Sequence, residues 1–244
     1  MVDSYWIAFG DIHDDISRLH DIPELPGAAG IIVTGDITLG GGVKQAARVL
    51  EPLAESSPRI LAQLGNMDRG EVTAWLEEKG WNLHARSRKL FSDVLALGVG
   101  CSNFSPFGTP SEYPESRLAE WMEEALAEAR NSLLQQEDVS FDARPGMWPQ
   151  TPRLVLVSHT PPHATNCDRL QSGAPVGSTA VREFIEEHQP DVCLCGHIHE
   201  ARAEDRIGRT HVINPGTLAA GGYVILRRAA RDNKAYVSAE LKIL

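Results

Sequence analysis

Five short apolar runs in this chain end in the same way, and that shared ending constrains the fold more than any other feature. Ile7-Ala8-Phe9-Gly10 ends in Asp11-Ile12-His13, and Ile31-Ile32-Val33-Thr34-Gly35 ends in Asp36. The run through Leu64-Gly65 ends in Asn66, Leu154-Val155-Leu156-Val157-Ser158 ends in His159, and Val192-Cys193-Leu194-Cys195-Gly196 ends in His197-Ile198-His199. Short apolar runs that alternate with helical patterns are the buried strands of an α/β architecture. In four of the five runs a glycine stands directly before the polar residue. Open α/β sheets bind ligands beyond the carboxyl ends of their strands. If the five strands are neighbours in one sheet, all seven polar side chains converge on one crevice.

Between the runs, apolar periodicity predicts helices over 41–56, 71–79 and 116–136. A further helix is capped by Ser178, runs to about 188 and is stopped by Pro190. Strands are expected at 94–99, 212–213, 223–226 and 235–241, the last two as a hairpin. With no composition break and no internal repeat, residues 1–244 are expected to form a single domain. The segment 137–152, with Phe141, Met147, Trp148 and three prolines, is expected to be a lid or interface loop, or else a packed surface loop. In Leu64-Gly65-Asn66-Met67-Asp68-Arg69-Gly70, Asp68 followed by Glu71 also satisfies a helix capping box.

Aspartate, histidine and asparagine together make a mixed nitrogen and oxygen ligand set, which suits Mn, Fe, Zn or Ni better than calcium or magnesium. Asp11 and His13 are two apart on an extended segment and can chelate one ion. His197 and His199 share that spacing and can straddle two ions about 3.5–4 Å apart, with Asp36 as a bridge. Two divalent ions less two carboxylates and a hydroxide leave roughly one positive charge, which attracts a phosphate.

The net charge of −10 and the lack of a basic cluster argue against nucleic acid as partner. Arg227, Arg228 and Arg231 are too few to change that. A small phosphorylated substrate needs only local positive charge. Neither a signal peptide nor a membrane span is recognisable. Four cysteines are too few for a disulfide framework in a chain this long, so buried free thiols and a cytoplasmic location are expected.

Asp11-x-His13, Gly35-Asp36, Gly65-Asn66-x-Asp68, His159 and Gly196-His197-x-His199, with Asn214-Pro215-Gly216 beyond them, resemble the calcineurin-like metallophosphoesterase superfamily in its small bacterial and archaeal form. The resemblance implies a four-layer α/β/β/α sandwich of two mixed β-sheets flanked by helices. It implies two divalent metal ions, the first held by Asp11, His13, Asp36 and His199, the second by Asp36, Asn66, His159 and His197. The implied reaction is phosphoester hydrolysis, most simply of a phosphodiester, by a metal-bridging hydroxide, with Asp36 and Asn66 serving catalysis.

Two positions depart from the family pattern. Leu39 stands where many members have a second aspartate. Met67 stands where the best-known members have a histidine that protonates the leaving group. Methionine cannot donate a proton, so Asp68 loses an orienting role and keeps the capping one, while His163 in His159-Thr160-Pro161-Pro162-His163 is the candidate substitute acid. A non-catalytic scaffold and a nuclease are the rival functions on the same fold. The segments 104–113 and 161–177 are expected to frame the pocket, and Arg69 and Arg169 to face solvent. A homo-oligomer is compatible with the chain.

Overall fold

Alternation along each strand decides how the layers stack. In β1 (Tyr5–Phe9), Trp6 and Ala8 join one apolar cluster while Ile7 and Phe9 join another, the two-residue period of a strand buried on both faces. The computed structural model describes residues 4–134, 153–231 and 234–244. The expected lid at 137–152 lies outside the described residues.

The first sheet is built on β1, β2 (Gly30–Val33) and β3 (Ile60–Ala62), which run parallel. On the other side of β1, β10 (Gly222–Arg231) pairs antiparallel with it and forms the expected hairpin with β11 (Lys234–Ile243). The sheet order is β11-β10-β1-β2-β3. The second sheet has β5 (Val94–Val99), β6 (Arg153–Ser158), β7 (Val192–Leu194) and β9 (Thr210–Asn214) in parallel. Antiparallel edges are supplied by β4 (Ser87–Phe91) and β8 (Ala203–Ile207), in the order β4-β5-β6-β7-β9-β8.

The sheets face each other across Trp6, Ala8, Ile32, Val155, Val157 and Leu194. Their outer faces carry α1 (Val43–Ser56) and α2 (Glu71–Glu78), and α3 (Glu115–Leu134) and α4 (Thr179–His188). These are two mixed sheets flanked by helices, the α/β sandwich that the resemblance implies. Gln63, buried at the carboxyl edge, stitches the sheets together: its amide nitrogen donates to Thr34 O at 3.2 Å in one and to Val99 O at 3.1 Å and Val157 O at 3.2 Å in the other.

The five ligand-bearing strands are therefore not neighbours in one sheet. Asp11, Asp36 and Asn66 leave the first sheet, His159 and His197 the second, and the crevice forms where the two carboxyl edges meet. Helix limits agree with the periodicity within two residues at each described end. Ser178 caps α4 by accepting from Val181 N. The capping box at α2 is not formed: its N-cap is Gly70, without a side-chain cap. All four cysteines are buried and free, and no described helix is long and apolar enough to cross a membrane.

His84 packs edge-on to Trp121 of α3 at 4.4 Å and accepts Gly100 N–H on Nδ1 at 3.0 Å. Burial, helped by the Arg117 and Arg86 charges, pushes it down to about 4. A histidine depressed in the folded state contributes stability that is full above about 6.5 and is lost as pH falls toward 4. With chelator present, His84→Asn, whose oxygen can replace Nδ1, should flatten the urea-denaturation slope by up to about 1.4 kcal/mol per pH unit in that window. Equal slopes would remove His84 from the acid response.

Candidate metal centre

The first-sheet exits are locked to one another by main chain. Asp11 N donates to Gly35 O at 3.0 Å, and Ile12 N and His13 N both donate to Asp36 O. Across the crevice, His197 N donates to both Asp11 carboxylate oxygens at 3.1 Å. Asp11, His13, Asp36 and His197 all adopt left-handed backbone, with φ of 48°, 49°, 48° and 68°. Such conformations cost of order 1–3 kcal/mol each and gather at functional sites.

The ligand-capable atoms of Asp11, His13, Asp36 and His199 all lie within 4.8 Å of one another. His13 Nε2 and His199 Nε2 are 3.0 Å apart, and His199 Nε2 is 3.3 Å from Asp11 Oδ1. A second group gathers on Asn66, whose Oδ1 lies 2.7 Å from His197 Nδ1 and 3.0 Å from His159 Nε2. Asp36 stands between the groups, with Oδ2 at 3.8 Å from His13 Nε2 and Oδ1 at 3.5 Å from His159 Nε2. Atoms that bind one ion at about 2.0–2.2 Å are held close to 3 Å apart, so this spacing fits metal ligation.

The electrostatics fit as well. Burial pushes His159 down to about 3 and His197 to about 4, and it also lowers His13, leaving neutral imidazoles with free lone pairs. Burial, reinforced by the Asp11 and Asp68 charges, raises Asp36 well above the carboxylate range. Burial also opposes the charge on Asp11, but the His199 hydrogen bond and the surrounding histidine charges outweigh it and lower its pKa. The same hydrogen bond raises His199. Neutral ring nitrogens around two crowded carboxylates are the environment that a divalent cation resolves.

Three of the four recurring glycines have a common cause, the fourth, Gly10, making room for Thr34 Oγ1 instead. A Cβ on Gly65 would stand 2.0 Å from Asp36 Oδ1, one on Gly35 would stand 2.4 Å from His159 Nδ1, and one on Gly196 would stand 2.4 Å from Asp11 Oδ2. Each missing Cβ makes room for the metal-capable side chain of a neighbouring strand.

Asp68 is fully buried and caps nothing. It accepts from Ile37 N at 3.0 Å, Thr38 N at 2.8 Å, Thr38 Oγ1 at 2.9 Å and Gly65 N at 2.9 Å, and so holds the turn that carries Asp36. Burial raises its pKa to about 6 against those four bonds. Met67 contributes its main chain, N–H to Asp36 Oδ1 at 2.8 Å. Asn214, also buried, donates from one amide nitrogen to Ile198 O at 2.9 Å, Cys167 O at 3.1 Å and Gly196 O at 3.3 Å, holding the turn between His197 and His199.

His163 is partly exposed and is fixed by main chain, donating to Ser178 O and accepting from Arg182. Among the described residues its ring takes no part in the contacts that join the other seven side chains. Arg69 and Arg169 are exposed and bond to the carbonyls of Gly40 and Gly173. Of the two framing segments, 104–113 meets the site, through Thr109 on Asn66 at 2.9 Å. It carries the exposed Phe104 and Phe107.

Comparison with known proteins agrees with this architecture. A family model described as metallophosphoesterase, calcineurin superfamily, matches residues 147–235. An uncharacterized protein of Methanocaldococcus jannaschii is 33% identical over 192 residues, 76% of this chain and 76% of that one. The chain belongs to the calcineurin superfamily of metallophosphoesterases. Among solved structures, a Thermus thermophilus protein superposes with a TM-score of 0.61 at 18% identity, covering 97% of this chain and 99% of its own. A phosphopantetheinyl hydrolase from Mycobacterium tuberculosis superposes at 0.55 and 16% identity, covering 88% and 90%. Both share the fold.

Proposed function

We propose that this chain hydrolyses a small phosphoester, most simply a phosphodiester, with two divalent transition-metal ions, and that residues 1–244 form one catalytic domain. Asp11, His13, Asp36 and His199 would hold one ion, and Asp36, Asn66, His159 and His197 the other. The observation that carries this is the meeting of seven side chains from five strand exits, with neighbouring ligand-capable atoms 2.7–3.8 Å apart and four of the seven residues on left-handed backbone. Bound there, the ions would supply Lewis acidity to the phosphoryl oxygens and lower the pKa of water.

The chain's own residues do the rest. Neutral histidines and one asparagine leave the two-ion site net positive, so it draws an anionic ester. Asp36, fixed by the Met67 N–H and by the turn that Asp68 holds, keeps one oxygen toward each ligand group. Because Met67 offers no proton, the leaving group departs unprotonated unless His163 serves as the substitute acid. The buried free thiols support a reducing cytoplasm as the working compartment.

Bis-p-nitrophenyl phosphate, assayed with manganese and with chelator beside a metal count, tests the reaction. Two ions and turnover lost on chelation are expected. Metal-free, inert protein would favour a scaffold, and faster cleavage of single-stranded DNA than of small diesters would favour a nuclease. Because Met67 cannot donate a proton, activated aryl diesters should be cleaved faster than alkyl ones by about 10²–10⁴-fold, the usual worth of general acid catalysis. Met67→His should narrow that gap. Equal rates on both esters, with chemistry limiting, would refute it.

A further inference from the structure

An asparagine ligand has a problem that an aspartate lacks. Its amide can turn either an acceptor oxygen or a donor nitrogen toward the site, and only the oxygen ligates. Asn66 sends its nitrogen away from the site, to Thr109 Oγ1 at 2.9 Å. Thr109 in turn donates its single hydroxyl proton to Glu112 Oε1 at 2.7 Å. A hydroxyl whose proton is committed can only accept from its other neighbour, and an acceptor at that point selects the amide nitrogen.

Glu112 is held as an acceptor. Burial opposes its charge, but donations from the side chains and main-chain N–H groups of Ser105 and Thr109 bring it down to about 2. The loop is also clipped to the strand exit, by Ser111 N on Asn66 O at 3.0 Å and Ser111 Oγ on Asp68 O at 2.6 Å.

We infer that Thr109 and Glu112 are positioning residues that hold the Asn66 amide with its oxygen toward His159 and His197, and thereby set the affinity of one of the two ion sites. This rests on the metal ligation proposed above.

The test is manganese binding by calorimetry on chelator-stripped protein, with no substrate present. Wild type should bind two ions. Thr109→Val, which keeps shape and removes the hydroxyl, should weaken one ion about 10–100-fold, the usual cost of losing a partner behind a ligand, and leave the other unchanged. Thr109→Ser should restore wild-type binding. Glu112→Gln, able to donate to Thr109 and free its proton to face Asn66, should weaken the same ion. In Asn66→Asp, whose two oxygens are equivalent, adding Thr109→Val should cost almost nothing.

Wild-type binding by Thr109→Val, or an undiminished cost of that change in the Asn66→Asp background, would overturn the inference while the two-ion site stands. Unchanged binding by Glu112→Gln would remove Glu112 from it. A wild type that binds fewer than two ions would overturn the metal site itself, and the inference with it.

Discussion

Asp36→Asn is expected to abolish turnover and, in the same molecule, to stabilise the metal-free fold. Asp36 lies between the two ligand groups, and losing its charge would loosen both proposed ions. An ion's contribution to the transition state is several kcal/mol, so kcat should fall by at least roughly 10³. The stability effect has the opposite sign. Burial and the neighbouring carboxylates Asp11 and Asp68 raise the Asp36 pKa in the fold. A carboxyl raised above its unfolded value favours the fold only while protonated, and that contribution is lost as pH rises above about 4. Asparagine is neutral at every pH, tolerates left-handed backbone, and keeps an oxygen for the Met67 N–H. In chelator at pH 8, the variant should therefore melt above wild type, and in manganese it should melt below. A variant that keeps two tight ions, or one that melts lower in chelator, would refute the assignment of Asp36 as a bridge held against its own electrostatics.

Gly35→Ala should be strongly damaging for so small a substitution. Gly35 has φ of +131°, which side-chain-bearing residues rarely adopt. A Cβ there would also stand 2.4 Å from His159 Nδ1 and 2.9 Å from the Gly65 Cα, so no rotamer change clears it. Overpacking costs about 1–3 kcal/mol and a disfavoured backbone a further 1–3 kcal/mol. Together they approach the whole stability of many domains, about 5–15 kcal/mol. Gly40→Ala separates the two causes, because Gly40 has φ of +77° and nothing within 4 Å of a built Cβ. It should lose only about 1 kcal/mol. Similar urea midpoints for the two variants would mean that His159 gives way, and that the glycine is there for its backbone alone.

What the chain announces locally is what repeats locally. The central strands, the helices and the polar residue at each strand exit follow from apolar period and position, and they stand where the pattern puts them. The edge strands of the second sheet did not show, because Ser-Arg-Lys-Leu-Phe in β4 and Ala-Glu-Asp-Arg-Ile in β8 carry the charges that protect an edge rather than an apolar signal. The division of the exits between two sheets is a matter of partner choice, and period says nothing about partners. Asp68 illustrates the limit most clearly. Its sequence neighbour Glu71 suggests a cap, whereas its hydrogen bonds on the Asp36 turn reach 30 and 31 residues back. The Thr109–Glu112 pair was hidden for the same reason, since Thr109 is 43 residues from Asn66.

The place of β1 inside its sheet has a consequence for biosynthesis. One of its edges is completed by β2, made soon afterwards, but the other waits for β10 and residues 222–231. At about 5–20 residues per second, ribosomal synthesis leaves that apolar edge unpaired for roughly 10–40 s. His199, too, emerges 186 residues after His13, its neighbour in the crevice. Until residues 197–199 and 222–231 are made, the nascent chain carries an open strand edge and half of the candidate site.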